Sequence, residues 1–181
     1  MSSTRLELLK EALPSATRVA VVANPAHPML APRWRATERA AQAVGVQLHR
    51  LDVRTPDEVD TALTTLSSAH ADAVLTLQEP TLNRQRRQIV ALATQHRLPV
   101  IGAEAPDWAE AGGLLAYGPS LPDLSRRAAV YVDKSLKGTK PGELPRERPI
   151  KFELGLNLKT AQALGLTIAP SLLVQADRVI Q

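Results

Sequence analysis

The residues best able to hold a polar ligand fall in four short runs: Asn24-Pro25-Ala26-His27-Pro28, Gln78-Glu79-Pro80-Thr81, Ala103-Glu104-Ala105-Pro106-Asp107 and Tyr117-Gly118-Pro119-Ser120. They present amides, hydroxyls and carboxylates, groups that form hydrogen bonds in fixed directions, and no activated nucleophile accompanies them. This chemistry suits recognition of a small polar molecule better than bond breaking. Asn24, Gln78, Glu79, Thr81, Glu104 and Tyr117 are the candidate ligand-binding residues, with Glu104 or Glu79 suited to a ligand cation such as an ammonium group. The same runs are also ordinary turn and helix-cap chemistry, which is the competing reading for each residue.

Known catalytic patterns are missing. The chain has no G-x-G-x-x-G after its first strand, no G-x-x-x-x-G-K-[ST], no G-x-S-x-G and no H-E-x-x-H. The 4 histidines, His27, His49, His70 and His96, stand alone without ligand spacing, and there is no cysteine. No catalytic residue, metal site or cofactor is therefore expected.

For separated polar runs to form one site, a scaffold must bring them to one edge, and the hydrophobic pattern supplies it. Apolar stretches at Thr17 to Ala23, Val46 to Val53, Asp72 to Leu77 and Leu98 to Ala103 read as strands. Between them lie helical patterns at Leu30 to Val44, stopped by Gly45, at Thr55 to about Ala69, with Thr55 as cap and Pro56 in the first turn, and at Leu82 to His96. A helix from Thr4 to Leu13 precedes the first strand. Strict β/α alternation calls for right-handed crossovers, hence a three-layer open parallel α/β sheet of flavodoxin-like or Rossmann-like form. Ligands of such sheets bind at the carboxyl ends of the strands, where all four runs fall.

Downstream, Pro106 to Glu110 reads as a helical turn, Leu114 to Tyr117 as a short strand and Leu121 to Leu136 as a helix. Thr139 to Pro149 carries three prolines and reads as a linker; Ile150 to Leu156 is a strand, Asn157 caps a helix to Leu164, and Ser171 caps a last helix to Ile180. Along Leu121 to Leu136 the residues Leu124, Ala128, Tyr131, Val132 and Leu136 share one side, a stripe that needs an apolar partner. A second copy of the chain is the simplest one, and a homodimer is expected.

Composition narrows the partners. The 181 residues carry 22 basic and 18 acidic side chains, a net charge of +4, but the basic residues are scattered and aromatics are only 3%, so nucleic acid is not an expected partner. No apolar run approaches the roughly 18 residues of a membrane span. The amino terminus lacks the pattern of a secretory signal, which reads as a cytoplasmic chain as written.

Four stretches then carry a specific likeness: RLELLKEALPSATRVAVVANP (Arg5 to Pro25), EAGGLLAYGPSLPDLSRRAAVYVDKSLKG (Glu110 to Gly138), TKPGELP (Thr139 to Pro145) and KFELGLNLKTAQALGLTIAPSLLVQADRVI (Lys151 to Ile180). In order and spacing they resemble the carboxyl-terminal part of ABC-transporter substrate-binding proteins of the tryptophan/tyrosine-binding type, within the type I periplasmic binding protein class. The resemblance implies two α/β lobes around a hinge, a small solute captured in the cleft and delivery to an ABC permease. It divides the chain into a solute-binding lobe (1–118), a crossover helix with a Pro-rich linker (119–149) and a carboxyl-terminal strand and helices returning to the lobe (150–181). Family members carry a signal peptide and an amino-terminal lobe ahead of the RLELLKE helix, whereas here Met1 lies just before it. The resemblance thus implies a periplasmic location if the chain is a fragment of a longer precursor. Where aromatic-binding members present Asp-Asn-Thr after the third strand, this chain has Gln78-Glu79-Pro80-Thr81, so the solute does not carry over. The expected function is a solute-binding lobe for a small polar molecule such as an amino acid. The alternatives are a cytoplasmic sensor or interaction domain that keeps the fold without transport, and a small enzyme.

Overall fold

Val19 to Ala23 are inaccessible to solvent, and this run of β-branched and small residues forms β1 (Arg18–Ala23), an inner strand of the sheet. A computed structural model describes residues 2–66 and 70–181. Helix α1 (Ser2–Ala12) leads into β1; α2 (Leu30–Val44), β2 (Gln47–Asp52), α3 (Glu58–Thr64) and β3 (Ala73–Thr76) follow. Next come α4 (Pro80–Arg84), α5 (Arg86–Gln95), β4 (Val100–Gly102), α6 (Asp107–Glu110), β5 (Leu115–Pro119) and α7 (Leu121–Leu136). The chain ends with β6 (Phe152–Asn157), α8 (Leu158–Ala163), α9 (Pro170–Gln175) and β7 (Arg178–Ile180).

The sheet has the order β2-β1-β3-β4-β5-β6-β7 among the described residues. From β2 to β5 every pairing is parallel, as the alternation requires, and β6 joins β5 antiparallel with Gly118 opposite Glu153 and Pro119 opposite Phe152. Strand β7 then pairs parallel to β6. Helices cover both faces. Leu6 and Leu9 of α1, Leu13 just after it, Ala40 and Ala41 of α2, Ala161 and Leu172 pack with Val19, Val21 and Leu75 on one side. Val59, Leu63, Leu82, Ile89, Ala93 and Trp108 pack with Ala20, Val22 and Val74 on the other. The expected α/β sandwich is present.

Several local expectations are corrected. The last helix stops at Gln175 instead of Ile180, because the Asp177 carboxylate accepts the Leu154 N–H at 2.8 Å and the Asp177 N–H donates to the Leu154 carbonyl at 2.9 Å, which draws Arg178–Ile180 out as a strand. Ser171 does not cap it; Ala169 stands at the cap position and the Ser171 hydroxyl bonds Glu11. The helix expected from Leu82 to His96 starts at Pro80 and breaks at Gln85 into α4 and α5. Thr55 is not the cap of α3. Residues 55–57 form turns, the helix begins at Glu58, and the Glu58 carboxylate accepts the Arg54 N–H at 2.8 Å. Its expected end near Ala69 lies outside the described residues.

Two glycines set close approaches near the sheet's carboxyl edge. A Cβ at Gly102 would lie 2.1 Å from Trp108 Cβ, and one at Gly118 would lie 2.4 Å from the Ala103 carbonyl oxygen. The first lets the fully buried Trp108 lie on β4; the second presses β5 against the loop that carries Glu104. Gly102→Ala is expected to destabilise the fold by about 1–3 kcal/mol through overpacking, read as a lower urea midpoint. An unchanged midpoint would show that Trp108 can shift freely.

Candidate functional site

The strand order 2-1-3-4-5 reverses direction between β1 and β3, and a crevice opens at their carboxyl ends where successive crossovers leave on opposite faces. Asn24 follows β1 and Glu79 follows β3 on the two sides of that crevice. The Asn24 side-chain amide donates to Glu79 Oε1 at 3.3 Å, and Asn24 Oδ1 accepts the Ala26 N–H at 2.9 Å. Both residues are buried.

Glu79 is also the cap of α4. Its Oε2 accepts the Leu82 N–H at 2.8 Å, and the N–H and hydroxyl of Thr81 bond the same carboxylate. Burial pushes the Glu79 carboxyl up, but these donors together with Asn24 outweigh it and hold the carboxyl below its ordinary value. Glu79 is thus a fixed anion whose lone pairs are largely engaged within the protein.

Glu104, after β4, is different. It is half-buried, and burial is the main reason its carboxyl is raised above the ordinary value, with the neighbouring Asp107 adding to the rise. The Gln78 side chain, Arg86 and Arg5 oppose that shift. Gln78 therefore connects the loop after β3 to the loop after β4.

Two arginines at this edge escaped the sequence reading. Arg5 is only 4% exposed and donates to the Thr76 carbonyl at 2.8 Å, at the end of β3. Burial and repulsion from Arg33 pull its pKa down to about 10, against attraction from Glu104, so it remains charged at neutral pH. Arg33, in the first turn of α2, donates to the Gln78 carbonyl. The signal for Arg5 was its spacing: it precedes Leu9 by four residues, which places it on the buried side of α1. Arg33 gave none, because its role depends on where β3 ends.

Of the sequence-predicted residues, Asn24, Glu79 and Thr81 form one hydrogen-bonded group and Gln78 and Glu104 a second, the two meeting only through the consecutive residues Gln78 and Glu79. Tyr117 does not join it. Its ring stacks on Phe152 with centroids 5.8 Å apart, and burial, followed by the charge of Asp177, raises its hydroxyl pKa. Larger hollows lie elsewhere, along edge strand β2 beside Trp34, Arg35 and Arg39 and beside His49, Arg50 and Asp57; most of their charged side chains are exposed, and the half-buried Asp52 in the second is paired with Arg50 at 2.8 Å. Among the described residues no group of three or more His, Asp or Glu side chains could hold a metal ion.

Helix α7 stands apart from this construction. The Ser120 hydroxyl caps it, accepting the Asp123 N–H at 3.4 Å, yet none of its residues is buried. Leu121, Val130, Val132 and Leu136 are exposed, Leu136 by 83%. Its links are to the linker: Arg127 with Glu147, and the Tyr131 hydroxyl donating to the Pro145 carbonyl at 2.7 Å.

The chain matches the family described as ABC transporter substrate binding protein over residues 2–180, and it belongs to that family. No curated protein sequence matches it. Among solved structures, it is similar to a conserved domain protein from Vibrio cholerae at 25% identity, with a TM-score of 0.91 over 98% of this chain and 60% of that one. An ABC domain in complex with L-Trp from Streptococcus pneumonia matches at 23% identity and TM-score 0.90, over 99% of this chain and 62% of the other. A ligand-free, open substrate binding protein with adhesive properties from Clostridium difficile matches at 22% identity and TM-score 0.71, over 97% and 58%. The chain thus spans about 60% of the length of these structures.

The raised carboxyl of Glu104 fixes the sign of a pH effect. Between the ordinary 4.5 and its higher folded value, the folded state holds a proton that the unfolded state has lost, so this group's contribution to stability falls as pH rises through that window. Glu104→Gln is expected to melt higher than the wild type at pH 7, the gap closing as pH falls toward 4.5. A gap that widens on acidification would contradict the assignment.

Proposed function

We propose that this chain is the solute-binding lobe of a substrate-binding protein and takes a small polar molecule, an amino acid in the first instance, at the carboxyl edge of its sheet. One observation supports the reading: the loops after β1, β3 and β4 carry two adjacent hydrogen-bonded groups, Asn24, Glu79 and Thr81 with a fixed carboxylate, and Gln78 and Glu104 with a half-buried, raised one. Glu104 is the group that receives the cationic end of the solute, and Glu79 holds the walls of the site in place. Tyr117 flanks the site from the β5 side. The L-Trp held by the pneumococcal structure is in keeping with an amino-acid ligand.

Residues 1–118 form the binding lobe in this reading, 119–149 an arm carrying α7 that reaches away from it, and 150–181 the return that completes the sheet. The unburied face of α7 supports an apolar partner, either the second lobe of a two-lobed protein or another copy of this chain. An ABC permease is the natural recipient of the solute, which places the site of action in the periplasm or at the cell surface. No helix among the described residues is long and apolar enough to cross a membrane.

Thermal unfolding in the presence of each of the twenty L-amino acids tests the reading. A ligand at about 100 times its Kd adds roughly 2.7 kcal/mol to the stability of a state that alone binds it, a shift of several degrees. At least one amino acid is expected to give such a shift, and Glu104→Gln is expected to remove it. Light scattering on the same preparation is expected to give a mass above that of one chain, rising with concentration. A flat melting response across the panel would contradict the function, and a constant single-chain mass the self-association.

A further inference from the structure

Arg33 has no carboxylate within salt-bridge distance among the described residues; its side-chain bond is to the neutral Gln78 carbonyl. It sits near a second, buried guanidinium, that of Arg5, and the two repel each other. A guanidinium carries five donors in a rigid fork, more than one backbone carbonyl can use, so Arg33 keeps donors for an anion, whereas Arg5 already feels the charge of Glu104. Arg33 lines, with Asn24, His27, Leu30, Gln78 and Glu79, a shallow gap of about 10 Å³ at the crevice mouth, the room of a single water, so a solute group would meet Arg33 from the solvent side. The negative groups are engaged elsewhere. Glu79 is held by Asn24, Thr81 and Leu82, and Asp107 faces Arg86 at 3.9 Å. The edge is therefore polarised, positive beside α2 and β3 and negative beside β4, where Glu104 stands.

We infer that Arg33 is a specificity-determining residue whose guanidinium takes a carboxylate of the bound solute, while Glu104 takes the solute's cation. The inference rests on the solute-binding reading and adds to it a requirement: the solute must be an anion at one end as well as a cation at the other. Arg5 acts as a positioning residue, fixing the end of β3 through the Thr76 carbonyl and adding a second positive charge near Arg33. Arg33 bonds Gln78, and Gln78 bonds Glu104, so the two poles are mechanically linked through one residue.

The test compares each L-amino acid that binds with its own carboxamide, by titration calorimetry on the wild type, Arg33→Gln and Arg33→Lys, with inorganic phosphate as a separate probe. A charge-assisted bond to a carboxylate corresponds to about a ten- to hundredfold preference for the acid over the amide. The wild type is expected to show it. Arg33→Gln, which removes the charge, is expected to bring the two ligands within a few-fold of each other, and Arg33→Lys to fall between. Equal affinity for acid and amide in the wild type would overturn the inference, as would variants that weaken both ligands alike, the mark of a merely structural Arg33. Phosphate binding more tightly than any amino acid would overturn the choice of a carboxylate. If no amino acid binds the wild type, the solute-binding reading fails first and this inference with it.

Discussion

The burial of β1, β3 and β4 on both faces constrains everything else in this molecule. Val19 to Ala23, Ala73 to Leu75 and Val100 to Gly102 have no room for an unpaired polar side chain, and every crossover between them must be an amphipathic helix. Polar chemistry is thereby driven to the ends of the strands. At the amino end it is used for anchoring: the Asp72 carboxylate accepts the N–H groups of Thr17 and Arg18 at 2.7 and 2.9 Å. At the carboxyl end the strand order opens a crevice between β1 and β3, and there polar residues gather in excess of what turns alone need.

That excess distinguishes a binding edge from a well-satisfied loop cluster. Asn24, Thr81 and Glu79 form a closed set in which the carboxylate caps α4, and taken alone they would be a structural feature. Glu104, raised and half-buried, and Arg5, lowered by burial and by the nearby charge of Arg33, are each held in a state that costs stability. Such costs are common where a fold keeps groups ready for a ligand. The apolar face of α7 is a second feature without a partner inside the sheet, on a segment that leaves the carboxyl end of β5.

Much of the frame was legible in the sequence because both signals that define it are local. The apolar runs at β1 and β3 and the amphipathic span of α2 ended by Gly45, which adopts a φ of 69°, follow from neighbouring residues. The capping serine of α7 and asparagine of α8 were likewise visible. What escaped depends on distant partners. Asp177 reads as part of a helix until Leu154 claims both its carboxylate and its N–H, and only then do Val179 and Ile180 become a strand. Thr55 carries the composition of a cap, but the helix begins three residues later. In the site, the loops after β1, β3 and β4 were legible through strand ends, whereas Arg5 and Arg33 sit inside helices, where a charged residue looks like a solvated face. Tyr117 shares a strand end with the site but faces Phe152.

The central claim is that a small solute binds at the β1/β3 crevice and nowhere else on the sheet. Amide chemical-shift mapping tests it directly: the isotope-labelled chain is titrated with an equimolar pool of L-amino acids. The account predicts saturable shifts confined to residues 24–33, 76–82 and 103–107. Saturable shifts centred on the opposite edge, at 13–18, 71–73 and 97–99, or along β2 at 47–52, would contradict it.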